Sequence, residues 1–248
     1  MDKNLIMKLS TLYNNCGIKN KFTRDAWLEK TLANIEKGTK ILDAGAGELQ
    51  NKKYCEHLKY VGQDFGEYTG EGDNQSLQTE SWDNTKLDIV SDIIDIPVAE
   101  DSFDTIMCIE VFEHIPEPIL ALKEFSRILR DGGTLIITAP VCSLTHFSPY
   151  YFYNGFSKYF YEKNLTQYGF QIEELTYNGN WYEYIAQELH RLPYMLNRYS
   201  GFRVGRIFSV FIRIALIPLF MLLSKASSRG NDSNELLSFG IHIKAIKV

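Results

Sequence analysis

The chain has 248 residues, 45% of them apolar, and a formal net charge of −5 at pH 7. The length fits a single α/β domain over residues 1–248, and the apolar fraction is ordinary for a folded core. A negative net charge gives no general attraction for polyanions, so we expect no nucleic-acid partner.

The cysteines and the first residues predict a cytoplasmic protein. The cysteines lie far apart and form no CxxC pair; they are Cys16, Cys55, Cys108 and Cys142. This spacing favours reduced thiols. Residues 1–21 contain no basic start followed by an apolar segment and a small-residue cleavage site, so we expect no export.

Apolar periodicity predicts a doubly wound α/β fold. In chain order the predicted elements are a helix at 24–36, a strand entering the segment 40–47, strands at 60–63, 87–91, 105–109 and 134–139, and strands at 169–177 and 239–248. A second helix at 116–129 precedes the strand at 134–139, and we expect residues 131–133 to stop it. Short apolar strands that alternate with helices are typical of a parallel sheet covered on both faces.

The segment 40–47 predicts a nucleotide-binding turn between a strand and a helix. Gly45 and Gly47 lack a β-carbon, so the backbone can turn tightly and a ligand can lie against it. A dinucleotide site favours a third glycine three residues later, but that position is Gln50. This departure disfavours an NAD(P)-dependent oxidoreductase.

Acidic residues end three predicted strands. They are Asp43, Asp64 and Asp92. Ligands of open α/β sheets bind at the carboxyl ends of the strands, so these acids are expected around one crevice. A carboxylate such as Asp64 can accept both hydroxyls of a ribose, and the negative edge suits a cationic ligand.

Six motifs resemble, in their order and spacing, class I S-adenosylmethionine (SAM)-dependent methyltransferases of the type 11 group. They are ILDAGAG at 41–47, YVGQD at 60–64, DIVSDI at 88–93, SFD at 102–104, EVFEH at 110–114 and LRDGGTL at 129–135. The resemblance covers residues 24–140, which it identifies as the cofactor-binding core. It implies SAM as the methyl donor and a seven-stranded, mostly parallel sheet with an antiparallel C-terminal strand.

The resemblance also assigns the cofactor-binding residues. They are Asp43, Ala44, Gly45, Ala46, Gly47, Gln63, Asp64, Asp92, Ile93, Ile109 and Glu110. By this resemblance the glycine turn lies against the methionine part, Asp64 holds the ribose, and Asp92 with the Ile93 backbone contacts the adenine edge. The backbone near residues 109–110 meets the methionine amino group. Asp92 has an alternative role, the capping of a turn.

An aromatic loop over residues 141–165 is the candidate acceptor site. It begins with HFSPYYFY at 146–153, and an alternative is a hydrophobic cover packed on the sheet. His146 is the candidate general base, because an imidazole accepts a proton at neutral pH. Tyr150 or Tyr151 could orient the acceptor, and His114 is a further candidate unless it only begins a helix. No spacing of His, Asp or Cys suggests a metal, so we predict metal-independent chemistry.

A long insertion over residues 178–235 precedes the last strand. Its apolar stretch at 207–224 approaches the length of a membrane span, but Arg213 and Pro218 interrupt it. Three alternatives are open: a helix lying in a membrane interface, a dimerisation or lid helix, and a core helix. The segment 203–225 is therefore a candidate for peripheral membrane contact or for a homodimer.

The resemblance, together with the aromatic loop, implies methyl transfer from SAM to an oxygen of a sugar, glycan or related small molecule, as in polysaccharide biosynthesis. Nitrogen, carbon and lipid-linked acceptors remain open. The competing hypothesis is a non-catalytic SAM-binding scaffold in a membrane-associated biosynthetic complex.

Overall fold

The computed structural model describes residues 16–72, 76–79, 81–201, 205–230 and 232–248. The seven described strands are β1 (Lys40–Ala44), β2 (Lys59–Asp64), β3 (Ile89–Val90), β4 (Phe103–Ile109), β5 (Leu129–Pro140), β6 (Phe170–Asn178) and β7 (Gly240–Lys247). The described helices are α1 (Asn20–Ala33), α2 (Pro118–Ile128), α3 (Lys158–Gln167), α4 (Trp181–Tyr199) and α5 (Arg206–Ser227). Short 3₁₀ turns cover Lys52–Tyr54 and Phe112–His114.

The strands form one sheet in the order β3-β2-β1-β4-β5-β7-β6. Parallel pairing joins β3, β2, β1, β4 and β5, whereas β7 pairs antiparallel with β5. This confirms the predicted doubly wound, mostly parallel sheet with an antiparallel C-terminal strand. Because β1 lies between β2 and β4, the carboxyl ends of all three strands lie at the same edge of the sheet.

The chain divides into two compact units. The sheet unit comprises Arg24–Thr176 and Gly240–Val248, and the helical unit comprises Tyr177–Phe239 with the described residues of Met1–Thr23. The helical unit contains most of the predicted insertion at 178–235. Within the sheet unit, Leu28 and Leu32 of α1 pack with Ile41, Met107 and Ile136 of the central strands, and all five are fully buried.

Three local predictions were wrong. Helix α2 ends at Ile128, and residues 131–133 lie inside β5 instead of stopping the helix. They form a bulge, because the pairing of β4 with β5 shifts from Phe103–Leu129 to Thr105–Thr134. The strand at 87–91 shrinks to Ile89–Val90 at the sheet edge, where it has one neighbour. The loop at 141–165 is helical from Lys158 onward.

We expect the buried face of α2 to contribute strongly to stability. Leu122 is fully buried, while Leu120 on the same helix is 38% exposed. Leu122→Ala should lower the free energy of unfolding by about 2–5 kcal/mol because it leaves a cavity, whereas Leu120→Ala should change it by about 0.5 kcal/mol. Urea unfolding of both variants measures the difference, and equal losses would contradict this packing.

Candidate functional site

The turn after β1 is tied to the end of β2 by backbone hydrogen bonds. The N–H groups of Gly45 and Ala46 donate to the Gln63 carbonyl at 2.9 and 2.8 Å. Gly45 and Gly47 both have positive φ, at 79° and 51°. A β-carbon on Gly45 would lie 2.5 Å from a methyl group of Val111. The backbone conformation and the close packing therefore both require glycine here.

Asp64, at the end of β2, holds the same turn with its side chain. One carboxylate oxygen accepts the Gly47 N–H at 2.9 Å, and the other accepts the Gly66 N–H at 3.0 Å. The residue is buried. Each carboxylate oxygen has a further lone pair, so the group can still accept a ligand hydroxyl. The ribose role of Asp64 stays a prediction, supported by its place beside the turn.

Gln63 and Asp92 both have hydrogen-bond partners within the protein. The Gln63 side chain donates to the Ser91 carbonyl at 2.7 Å and thereby links β2 to the segment after β3. Asp92 is exposed and accepts the Ile94 N–H at 3.1 Å, which is the turn-capping alternative. Ile93 is buried. The adenine contacts of Asp92 and Ile93 stay predictions.

Asp43 is a fully buried carboxyl group in β1, two residues before the turn. Its Oδ2 accepts the Tyr60 hydroxyl at 2.7 Å, while its Oδ1 has no hydrogen-bond partner among the described atoms. Burial raises the pKa of Asp43 to about 7, and the nearby Asp64 adds to this effect. A buried acceptor without a partner is costly. Together with the glycine turn, it fits a positively charged ligand that carries hydrogen-bond donors.

At the end of β4, Glu110 is held by two other elements of the sheet unit. Its carboxylate pairs with Arg24 of α1 at 2.7 Å and accepts the Thr138 hydroxyl of β5 at 2.9 Å. Its backbone has a positive φ of 56°. Nothing in the sequence pattern pointed to Arg24. The predicted contact of a ligand with the backbone at Ile109 and Glu110 remains untested.

Two candidate histidines meet beside a buried glutamate. The Nε2 atoms of His114 and His146 are 3.1 Å apart, and both lie 3.8 Å from Oε1 of Glu113. Burial lowers the pKa of His114 to about 4, with a contribution from His146. Burial also raises the pKa of Glu113 to about 8. The adjacency of Glu113 and His114 is visible in the motif at 110–114, but no local pattern marks Glu113 as part of this cluster.

Tyr150 contributes to this cluster differently from the prediction. Its main-chain carbonyl lies 2.5 Å from Nδ1 of His114, whereas its hydroxyl donates to Glu67 at 3.2 Å. Tyr151 has its ring 5.2 Å from that of His146. The Tyr151 ring is therefore the closer candidate for contact with an acceptor bound at His146.

Aromatic rings connect the glycine turn to the histidine pair. Trp82 lies against Gly47, where a β-carbon would be 2.6 Å from its ring. The ring of Phe147 is 5.4 Å from Trp82 and 5.2 Å from His114. The second half of the aromatic segment instead forms a hydrophobic cover, since Phe156 and Tyr161 are buried against Phe112. The hydrophobic-cover alternative therefore applies to this second half, and the acceptor role of the first half stays a prediction.

The raised pKa of Asp43 predicts a pH-dependent loss of stability. An unfolded aspartate ionises near 3.8 and the folded one near 7, so the free energy of unfolding should fall as pH rises between these values. Asp43→Asn keeps an acceptor for Tyr60 and removes this dependence. Each pKa unit corresponds to about 1.4 kcal/mol. Between pH 4 and pH 7 the free energy of unfolding of the variant should therefore rise by a few kcal/mol relative to that of the wild type. Urea unfolding from pH 4 to 8 measures this difference, and parallel curves would contradict it.

Comparison with known proteins places these features in a family. Residues 42–137 match the family model described as a methyltransferase domain. The chain is 26% identical over 183 residues to sarcosine/dimethylglycine N-methyltransferase of Halorhodospira halochloris, covering 69% of this chain and 64% of that protein. It is 31% identical over 107 residues to demethylmenaquinone methyltransferase of Staphylococcus aureus, covering 41% of this chain and 43% of that protein. The matches therefore span less than two thirds of these relatives.

A solved structure has the same fold. Phosphoethanolamine N-methyltransferase 2 of Haemonchus contortus, in complex with SAM, has a TM-score of 0.51 and 17% identity, covering 91% of this chain and 52% of that one. The glycine turn and the acidic residues Asp43, Asp64 and Asp92 lie inside the matched segment. Residues 42–137 are a class I SAM-dependent methyltransferase domain, and SAM is its cofactor.

Proposed function

We propose that the chain transfers the methyl group of SAM to an oxygen of a sugar, glycan or related small molecule and releases S-adenosylhomocysteine. The histidine pair near the glycine turn carries this proposal. A hydroxyl must lose its proton during the transfer, whereas a neutral amine needs no base to attack. A basic nitrogen beside the cofactor turn therefore favours a hydroxyl acceptor, and polysaccharide biosynthesis is the process in which we place it.

His146 is the proposed general base. Its Nδ1 lies 2.8 Å from the Leu144 carbonyl, which can only accept, so Nδ1 carries the ring proton of the neutral imidazole. The lone pair is then on Nε2, the atom that faces His114. This contact also orients the ring, as the function of a base requires. SAM, when bound, supplies a methyl carbon that is electrophilic because it is attached to a sulfonium.

The relatives provide the alternative acceptors. Two of them are named as N-methyltransferases and one as a methyltransferase of demethylmenaquinone. A nitrogen acceptor is therefore the second candidate for this chain, and a scaffold that binds SAM without turnover is the third.

Loss of the base should affect turnover and not cofactor binding. His146→Ala should lower kcat with a hydroxyl acceptor by about 10²-fold or more, with little change in the dissociation constant of SAM. S-adenosylhomocysteine release with a panel of nucleotide sugars, oligosaccharides and amines measures turnover, and calorimetry measures SAM binding. His57→Ala, which removes an imidazole bonded to Leu32, is the control.

Each result distinguishes between the candidates. Turnover with amines alone would favour the nitrogen acceptor and overturn the oxygen acceptor. SAM binding without turnover on any compound would favour the scaffold. An unchanged kcat in His146→Ala would remove this residue as the base.

We also propose that the protein is cytoplasmic and contacts a membrane peripherally through the segment 203–225, of which 203 and 204 lie outside the described residues. Phe208–Ser227 is long and apolar enough to span a membrane by length and composition. A single crossing would separate β6 from β7, which belong to one sheet. A helix lying in the interface avoids this conflict.

The exposure of α5 supports this proposal over a core helix. One face packs within the helical unit, where Phe220 stacks on His190 at 4.3 Å. Among the side chains that the structure describes, the large apolar residues exposed on the helix are Phe208, Val210, Phe211, Ile214, Leu219, Met221 and Leu222. Arg213, Lys225 and Arg229 add positive charge, which attracts anionic lipid headgroups. A homodimer through the same residues is the alternative.

Flotation with liposomes tests the membrane contact. The wild type should rise with vesicles that contain anionic phospholipid, and the double variant Phe211→Asp, Leu222→Asp should stay in the dense fractions because it buries charge in the acyl region. Phe22→Asp, at an exposed phenylalanine of α1, should rise like the wild type. If the wild type stays in the dense fractions and elutes as a dimer in gel filtration, the membrane contact is overturned and the homodimer is supported.

A further inference from the structure

Three electron-rich atoms converge at the histidine pair. Nε2 of His114, Nε2 of His146 and Oε1 of Glu113 form a triangle with sides of 3.1, 3.8 and 3.8 Å. Glu113 is 1% exposed, and its second oxygen has no hydrogen-bond partner among the described atoms. The two imidazoles are 15% and 25% exposed, so solutes can reach the cluster from their side.

The contacts of the two Nδ1 atoms determine whether the two Nε2 atoms carry a proton or a lone pair. Nδ1 of His114 contacts the Tyr150 carbonyl at 2.5 Å, and Nδ1 of His146 contacts the Leu144 carbonyl at 2.8 Å. Because a carbonyl only accepts, each Nδ1 carries a proton, and each neutral ring has its lone pair on Nε2. Two lone pairs at 3.1 Å repel each other unless a cation lies between them. A histidine that donates Nδ1–H to a carbonyl is also the usual orientation of a metal ligand.

The triangle has the size of a metal site. The point equidistant from its three corners lies about 2.1 Å from each atom, which is the bond length of Zn²⁺ to histidine nitrogen and carboxylate oxygen. Two histidines and one carboxylate leave further coordination positions open, as in catalytic rather than structural metal sites. A proton on Glu113 cannot replace the ion, because 3.8 Å is too long for a hydrogen bond to either nitrogen.

We propose that Glu113, His114 and His146 form a binding site for one divalent first-row transition-metal ion, with Zn²⁺ as the representative. The role of the ion rests on the proposed function. Its open coordination positions bind the hydroxyl oxygen of the acceptor, and the ion lowers the pKa of that hydroxyl. The hydroxyl proton leaves to water, the new bond joins oxygen to the methyl carbon, and the electron pair of the broken C–S bond stays on sulfur. When the ion is bound, His146 is a metal ligand and not the general base, and the ion is the group that promotes loss of the hydroxyl proton.

Zinc binding by the full chain, without SAM or acceptor, tests the site. Protein freed of metal with a chelator should bind one Zn²⁺ with a dissociation constant of about 1 μM or tighter in calorimetry. His114→Ala, His146→Ala and Glu113→Gln should each weaken binding by about tenfold or more. His57→Ala, which removes a histidine away from the triangle, should bind like the wild type.

Co²⁺ gives a second readout that does not depend on activity. Its absorption in the visible range should show a site of low coordination number in the wild type and lose that signature in His146→Ala. Circular dichroism verifies that the variants fold. No stoichiometric Zn²⁺ binding by the wild type, or equal binding by His146→Ala and His57→Ala, would overturn the site and leave a shared proton between the two imidazoles.

Turnover measurements separate the role of the ion from the site itself. If Zn²⁺ binds at these residues and chelation abolishes methyl transfer, the role in deprotonation is supported. If Zn²⁺ binds and the chelated protein turns over at the full rate, that role is overturned and the binding site stands. A failure of the oxygen-acceptor proposal would leave both binding experiments unchanged.

Discussion

The hydrogen bonds between the glycine turn and the end of β2 are the interaction on which the site depends. Gly45 and Ala46 donate to the Gln63 backbone, and Gly47 donates to the Asp64 side chain. These bonds satisfy the backbone of a turn that has no helical or strand partners of its own. They also place the acidic ends of two parallel strands together. Residues 42–137 contain this whole arrangement and are the segment that matches the methyltransferase domain.

Among the described residues of the sheet unit, two buried carboxyl oxygens have no hydrogen-bond partner, and they are Asp43 Oδ1 and Glu113 Oε2. Such groups are costly to a folded protein and are concentrated at functional sites. Asp43 lies in β1 just before the cofactor turn, while Glu113 lies beside the histidine pair. The rings of Trp82 and Phe147 connect the two regions. We therefore interpret them as the donor and acceptor sides of one site, with the acceptor side built from the segments that follow β4 and β5.

The helical unit is organised by a different constraint. Phe220 and Leu223 of α5 are buried against Cys16 and Ala186 of the same unit, yet other large apolar side chains of the helix are exposed. Exposed apolar residues of this number are unusual on a monomeric surface, and the proposed membrane contact rests on them. The unit lies between β6 and β7 in the chain, so it leaves the strand pairing of the sheet intact. This is why an insertion of such length is compatible with the strand order of the sheet.

Periodicity and glycine positions by themselves located the seven strands, the two helices predicted before β5, and the turn after β1, although not the length of β3, because burial patterns and backbone conformation are local properties of a sequence. They also indicated which carboxylates end the strands. Tertiary structure alone decided the bulge at 131–133, the short edge strand β3, the Arg24–Glu110 ion pair and the meeting of Glu113, His114 and His146. His114 and His146 are 32 residues apart and follow different strands. Only the pairing of β4 with β5 and the course of the loop beyond β5 bring their nitrogens within contact, and no local pattern encodes that distance.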